Sequence, residues 1–154
     1  MAVLLQRAED VAAEVISRLE KITVAQGAET DAGRVVLQGR RSVSREDANC
    51  ISVIEGDDVI NDTRRTSVDL SQKYVIVALI PCDIDNPNVA AHKVLRDIKR
   101  AIFTTAGKPD SKFGGQVDEV KYLGRDIVPR ADGEALVQAI VEISVKYVEN
   151  LADP

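Results

Sequence analysis

The segment from residue 134 to residue 150, EALVQAIVEISVKYVEN, alternates between apolar and polar side chains. Every second residue between positions 135 and 147 is apolar, and most of the residues between them are polar or charged. A helical stripe can also be drawn through Leu136 and Ile143, but it leaves Val145 among the charged side chains. The period of two and the abundance of β-branched residues therefore predict one long strand.

A strand of this length is unusual for a chain of 154 residues. At roughly 3.3 Å per residue, it spans about 45 Å. A compact domain of this size has a radius of gyration of only about 15 Å. The strand is therefore expected to bend sharply or to leave the body of the domain, where a neighbouring molecule could use it.

Apolar side chains recur at helical spacing in two other segments. Residues 3–22 form the first amphipathic pattern, and the second begins at Asn86 and Pro87, which are typical of a helix cap and a first helical turn. Four more strands are predicted, over residues 34–38, 50–55, 67–81 and 117–129. The last of them is expected to pair with the C-terminal strand across a short turn.

This order of elements predicts an α+β fold in a single domain that spans residues 1–154. We expect a mostly antiparallel sheet, with two amphipathic helices packed on one of its faces and a long C-terminal β-hairpin. Two long polar segments, residues 39–49 and 56–66, interrupt the strands. Long loops are often functional or disordered, so we expect both to be mobile in a free subunit and to become ordered on a partner.

Composition narrows the possible functions. The formal charge of −5 and the absence of tryptophan argue against a nucleic-acid surface, so we expect no specific nucleic-acid binding. Cys50 and Cys82 do not form a Cys-x-x-Cys motif, and reduced thiols are the expected state. The longest apolar run is too short to span a bilayer, so we expect no membrane insertion.

The strongest catalytic pattern is Pro109-Asp110 followed by Glu119 and Lys121. Metal-dependent nucleases use such an arrangement, in which the two acids hold a divalent cation and the lysine assists the attacking water. Here Asp110 lies in a glycine-rich segment, where the nuclease pattern requires a strand. The same residues are also explained by a turn at Asp110 and a solvated strand face that carries Glu119 and Lys121. A small metal-dependent nuclease remains the second hypothesis.

Other candidate chemistry is weaker still. Asp83 and Asp85 are typical of a turn before a helix, and the acids between residues 55 and 62 lack the alternating spacing of a calcium loop. His92 is the only histidine, which excludes a zinc site with several histidine ligands, and no glycine-rich phosphate-binding motif occurs. We therefore expect no enzymatic activity, metal or cofactor.

Charges of opposite sign are concentrated in different parts of the chain. Either these charges are simply solvated, or basic loops of one copy meet acidic surface of the next in a head-to-tail, ring-closing contact. The second hypothesis defines a candidate subunit or partner interface, made of Arg40, Arg41, Arg45, Arg64 and Arg65 on one side and Glu134, Glu142 and Glu149 of the terminal hairpin on the other.

Four segments together resemble the tail terminator, or tail completion, proteins of long-tailed bacteriophages and prophages. They are VAAEVISRLEKI at 11–22, YVIVALIP at 74–81, AAHKVLRDIKRAIF at 90–103 and DGEALVQAIVEISVKY at 132–147. The resemblance covers nearly the whole chain and lies in the order and size of the elements. Its local signature is Asp132-Gly133 followed by alternating apolar residues that end at Val145, Lys146 and Tyr147.

The resemblance implies a virion protein, assembled in the bacterial cytoplasm, that forms a ring of six subunits. Such a ring caps the completed tail tube, ends its polymerisation and presents a surface to the head-tail connector protein. The implied partners are other copies of the chain, the tail tube protein and the connector, and no cofactor is implied. The long strands would then extend beyond the subunit to contact ring neighbours.

Overall fold

A computed structural model describes residues 3–40, 48–128 and 134–154. The helices are α1 (Ala8–Leu19) and α2 (Pro87–Phe103), and short 3-10 turns cover Val24–Gln26 and Ala32–Arg34. The strands are β1 (Val35–Gln38), β2 (Cys50–Arg64), β3 (Ser67–Pro81), β4 (Thr104–Thr105), β5 (Lys108–Pro109), β6 (Glu119–Val128) and β7 (Leu136–Asn150). Neither helix is long and apolar enough to cross a membrane, as far as the described residues extend.

Five strands form one sheet in the order β1-β2-β3-β7-β6, and β4 and β5 form a separate small hairpin. Among the described strands, only β1 and β2 run parallel, and the other neighbours are antiparallel. β3 and β7 pair residue for residue along their whole lengths. The α+β fold with a mostly antiparallel sheet, predicted from the pattern, is confirmed.

One face of the sheet carries the hydrophobic core. In β7, every second residue between positions 137 and 147 is at most 2% exposed, and the aligned residues of β3 are buried with them except Gln72, which is half-buried. Apolar residues of α1 and α2, such as Val15 and Ile98, belong to the same cluster. The buried positions are those that the alternation predicted, and both helices lie on the face towards which these side chains point.

β7 does not leave the body of the domain, which corrects the expectation drawn from its length. Tyr147 lies near the C-terminal end of the strand and is still only 2% exposed. The backbone N–H of Asp118 donates to the carbonyl of Lys146 at 2.9 Å, and nearby Val117 joins the same core cluster. The segment before β6 therefore accompanies β7 to its end, and the core remains closed.

The strand that does extend beyond the core is β2, whose residues 55–64 are all exposed. The sequence pattern predicted a strand over residues 50–55 followed by a loop, and the structure shows that residues 56–64 belong to the strand instead. Their mobility in a free subunit remains a prediction. They pair with β3 around a tight turn in which Arg65 has a φ of 53°. Register shifts between Glu55 and Asp58 and between Ile60 and Asp62 break the alternation, which hides the strand in the sequence.

The remaining predicted boundaries need smaller corrections. α1 begins at Ala8 rather than at residue 3, and α2 begins at Pro87 as expected. Asn86 precedes α2 but makes no side-chain capping bond to it. The other segment predicted to be mobile, residues 39–49, falls mainly on residues 41–47, which lie outside the described residues.

Asp97, a buried acid on α2, fixes the segment between α1 and β1. Its carboxylate accepts hydrogen bonds from the backbone N–H groups of Glu29 and Thr30, at 3.0 and 2.8 Å, and from the Thr30 hydroxyl at 2.7 Å. Arg96 adds a two-pronged ion pair to the Glu29 carboxylate, and this hydrogen bond lowers the pKa of Glu29. These polar contacts therefore join α2 to the segment that follows α1.

Candidate functional site

The predicted basic residues do not form one patch in the structure. Arg64 and Arg65 lie at the exposed tip of the β2–β3 hairpin, where Arg64 Nε is 3.0 Å from Asp62 Oδ2 on the same strand. Arg40 follows β1, and its carbonyl accepts a hydrogen bond from Ser52 Oγ. At about 3.3 Å per residue, β2 separates Ser52 from Arg64 by up to about 40 Å. Arg41 and Arg45 lie outside the described residues.

The predicted acidic residues are spread along β7, which lies between β3 and β6 and is not an edge strand. Glu142 lies on the sheet face away from the helices, where its Oε2 atom is 3.3 Å from Lys73 Nζ of the same subunit. Glu149 lies near the C-terminal end of β7 on the helix-facing side, and Glu134 precedes the strand. Contact between these acids and the arginines of a neighbouring copy remains a prediction.

The residues of the nuclease pattern are separated by the sheet. Asp110 accepts hydrogen bonds from Thr105 Oγ1 at 2.6 Å and from the backbone N–H groups of Lys112 and Gly114, which lower the pKa of its carboxyl. Because Val120 is buried in the core, Glu119 and Lys121 on either side of it project from the opposite face. Among the described residues, no three His, Cys, Asp or Glu side chains are grouped so that they could hold a metal ion.

We accordingly expect no cleavage of supercoiled plasmid DNA when the protein is incubated with Mg²⁺ or Mn²⁺. Asp110 is engaged in organising its own loop, and it belongs to no group of three metal-ligating side chains within the described part of the chain. The measurement is agarose-gel electrophoresis after incubation with excess protein. Cleavage by the wild type that disappears in the Glu119→Ala variant would contradict this expectation.

The sheet has outward edges that no described strand occupies, one on the side of β1 and β2 and one at β6. Pairing of β1 with β2 ends at Gln38 and Val53, so residues 54–64 of β2 have a strand neighbour on one side only within the described chain. β6 pairs with β7 alone. Strand edges with free backbone N–H and C=O groups are places where another chain can pair.

A groove with an acidic rim lies beside the β2 edge. We use the name acidic groove for the surface lined by Ala8, Glu9, Ala12, Ala13, Ile16, Ser17, Glu20, Gln38 and Glu55, with a volume of ≈ 630 Å³. Small apolar side chains of α1 form much of its lining, and exposed glutamates surround them.

Further acids continue from the acidic groove along the helix-facing side of β2. Burial raises the pKa of Tyr147 to about 12, and the negative charges of Glu149, Asp58 and Glu55 act in the same direction. These three carboxylates are therefore close enough to one phenol to influence its ionisation. This side of the molecule is therefore negatively charged next to the unpaired outer edge of β2.

The opposite edge is apolar and basic. Tyr122 and Leu123 of β6 are 43% and 49% exposed. Lys99 Nζ of α2 lies 5.0 Å from the centroid of the Tyr122 ring, and Phe103 packs edge-to-face against the same ring at 6.5 Å. Arg125 is exposed on β6 and, like Tyr122, has a register partner on the core face of β7. We use the name basic edge for Lys99, Tyr122, Leu123 and Arg125.

The acidic groove and the basic edge were not among the residues singled out from the sequence. The groove joins residues of α1 to Gln38 and Glu55, which no local pattern connects. The basic edge leaves a weak sequence signal, because Tyr122 and Leu123 are adjacent apolar residues in an alternating strand and one of them must be exposed or lie in a bulge. The register shift between Tyr122 and Gly124 is that bulge.

Comparison with known proteins supports the fold. No protein-family model and no curated protein sequence matches this chain. Its fold is similar to that of a chain in a solved structure described as the virion of a native gene transfer agent (GTA) particle. The two chains are 12% identical, with a TM-score of 0.54, and the alignment covers 87% of this chain and 91% of that chain. At this level of identity, the likeness shows that the two chains share a fold.

Proposed function

We propose that this protein is a structural component of a virion and forms a ring that caps the completed tail tube. The ring would end tube polymerisation and provide the surface for head-tail joining. The observation that carries the proposal is the likeness to a virion chain, since it extends over 87% of one chain and 91% of the other. The resemblance of four sequence segments to tail terminator proteins points in the same direction and supplies the expected number of six subunits.

The arrangement of the sheet supports assembly into a ring. The β2 edge and the β6 edge lie on opposite sides of one subunit and differ in charge. A contact between two different surfaces is head-to-tail, and it closes into a ring when the rotation between neighbours divides a full turn. A ring also repeats each weak contact with the tube several times, so the contacts act together although each one alone is weak.

Electron microscopy can test the proposal directly. Negatively stained purified protein should show small annular particles, and a tail tube protein from the same virion should polymerise into shorter tubes when these particles are present. Each shortened tube should carry a ring at one end. Tubes of unchanged length and without a terminal ring, at a ring concentration above that of tube ends, would contradict the capping function.

A further inference from the structure

We propose that the basic edge of one copy docks into the acidic groove of the next copy, and that this contact joins neighbours in the ring. The inference rests on the proposed function, because it names the partner of each edge as a second copy of this chain. Both surfaces belong to the described residues, and they lie at opposite edges of the sheet.

The topology places the two surfaces correctly for a head-to-tail contact. α2 packs on β7, β3 and β6, whereas α1 borders the groove beside β1 and β2. β2 is antiparallel to β3, β3 to β7, and β7 to β6, so β2 and β6 run in opposite directions. A copy that continues the sheet of its neighbour therefore brings β6 and β2 together as an antiparallel pair.

Side-chain direction brings the complementary groups to the same side of such a pair. Tyr122 and Arg125 align with Ile143 and Val141, which point into the core, so both belong to the helix-facing side of β6. Glu55 aligns with the buried Tyr74 and thus belongs to the helix-facing side of β2. In a continuous sheet, the cations and the acids would face each other rather than lie on opposite faces.

The chemistry of the two surfaces is complementary in charge and in polarity. The apolar part of the basic edge, Tyr122 and Leu123, is exposed in the single subunit. The acidic groove is lined by small apolar side chains against which these two residues can pack. Lys99 and Arg125 flank the apolar part, and Glu9, Glu20 and Glu55 surround the groove. The acids of β6, Glu119 and Asp126, align with residues of β7 on the other face and would not oppose the docking.

Two pairs of charge reversals test the contact. The edge variant carries Lys99→Glu and Arg125→Glu, and the groove variant carries Glu20→Lys and Glu55→Lys. Each should weaken self-association at least about tenfold, because two favourable exposed pairs become repulsive. A variant with all four changes should recover assembly. Arg64→Glu with Arg65→Glu, at the hairpin tip, is the matched comparison: it should assemble as the wild type does when the basic edge carries the contact, and lost assembly would instead support the contact predicted for these arginines from the sequence. Circular dichroism checks the fold of every variant.

A mixture of the edge and groove variants identifies a head-to-tail contact. Each variant alone repels its own copies and should sediment mainly as a monomer, whereas their equimolar mixture should form assemblies as large as those of the wild type. In these assemblies the intact edge of the groove variant meets the intact groove of the edge variant, and the reversed edge of the edge variant meets the reversed groove of the groove variant. Raised salt should weaken wild-type association in sedimentation runs, since exposed charges are screened over about 8 Å at physiological ionic strength.

The outcomes separate this contact from the ring itself. Annular particles formed equally well by the edge and groove variants would overturn the assigned contact and leave the proposed ring intact. Failure of the four-change variant to assemble, or a mixture that stays monomeric, would also overturn it. Wild-type protein that is monomeric at every concentration overturns the contact as well, and the tube-capping measurement then decides the proposed function separately.

Discussion

The Gly33→Ala variant will unfold at a much lower urea concentration than the wild type. Gly33 lies in the 3-10 turn after α1, and its N–H donates to the carbonyl of Ile22 at 2.8 Å. A Cβ atom at this position would lie 2.9 Å from both the N and the O atom of Ile22 and would also meet the carbonyl oxygen of Leu19. All of these are backbone atoms, so no change of rotamer can relieve the overlap.

The size of the effect follows from overpacking in a closed site. Forcing atoms into such a site costs about 3 kcal/mol, which is a large part of the roughly 5–15 kcal/mol that stabilises a typical domain. Gly56→Ala is the matched control, because its Cβ would meet only side-chain atoms of Lys73, at 3.4 Å or more. Urea unfolding followed by circular dichroism measures both variants. Similar midpoints for the two variants would show that the backbone around Gly33 yields easily.

The Arg18→Ala variant should lose about 3 kcal/mol of unfolding free energy, because it removes a buried side chain and leaves partly buried acceptors without a donor. Arg18 is only 8% exposed, although it is charged. Its guanidinium donates to Glu14 Oε1 at 2.9 Å, to the Thr104 carbonyl at 3.0 Å and to Thr105 Oγ1 at 3.0 Å. The same group lies 4.4 Å from the centroid of the Phe113 ring. One side chain therefore joins α1 to the end of α2 and to the segment before β6.

Arg7 provides a close control for Arg18. Arg7 Nη2 lies 3.0 Å from Asp153 Oδ1, a similar ion-pair distance, but the two side chains are 45% and 71% exposed. Arg7→Ala should therefore change the unfolding free energy by about 0.5 kcal/mol or less. Glu14→Gln should cost about 1 kcal/mol, because Arg18 keeps its carbonyl and hydroxyl partners. Thermal and urea unfolding of the three variants check this order, and equal losses for Arg18→Ala and Arg7→Ala would contradict it.

The strand predictions were correct where the alternation of apolar and polar residues was unbroken. In β3 and β7 the inward residues could be named in advance, because side chains of a strand point alternately to its two faces whatever lies beside it. The prediction was wrong in β2 beyond Glu55, where the strand continues through a run of polar residues and contains two register shifts. Its stability there comes from pairing with β3, a contact that composition does not reveal.

The candidate interface was less predictable than the fold. Local charge singled out several arginines and the acids of the terminal hairpin. The structure places those among the described residues apart from one another, with Glu142 next to Lys73. Surfaces such as the acidic groove depend on side chains from α1, β1 and β2 meeting across the chain. A one-dimensional pattern records which residues are apolar or charged, but not which distant ones become neighbours.

By itself, the sequence determined the α+β class, the positions of both helices and the inward face of the two longest strands. These features follow from local periods of hydrophobic residues, which act through neighbours a few positions away. Only the tertiary structure decided that β7 is covered by the core, whereas β2 extends beyond it. It also decided that Arg18 is buried near backbone carbonyls, and that one unpaired edge is acidic and the other basic. Each of these features depends on strand order and on contacts between residues far apart in the chain. Many residues share the stabilising energy of such contacts, so it leaves no local pattern in the sequence.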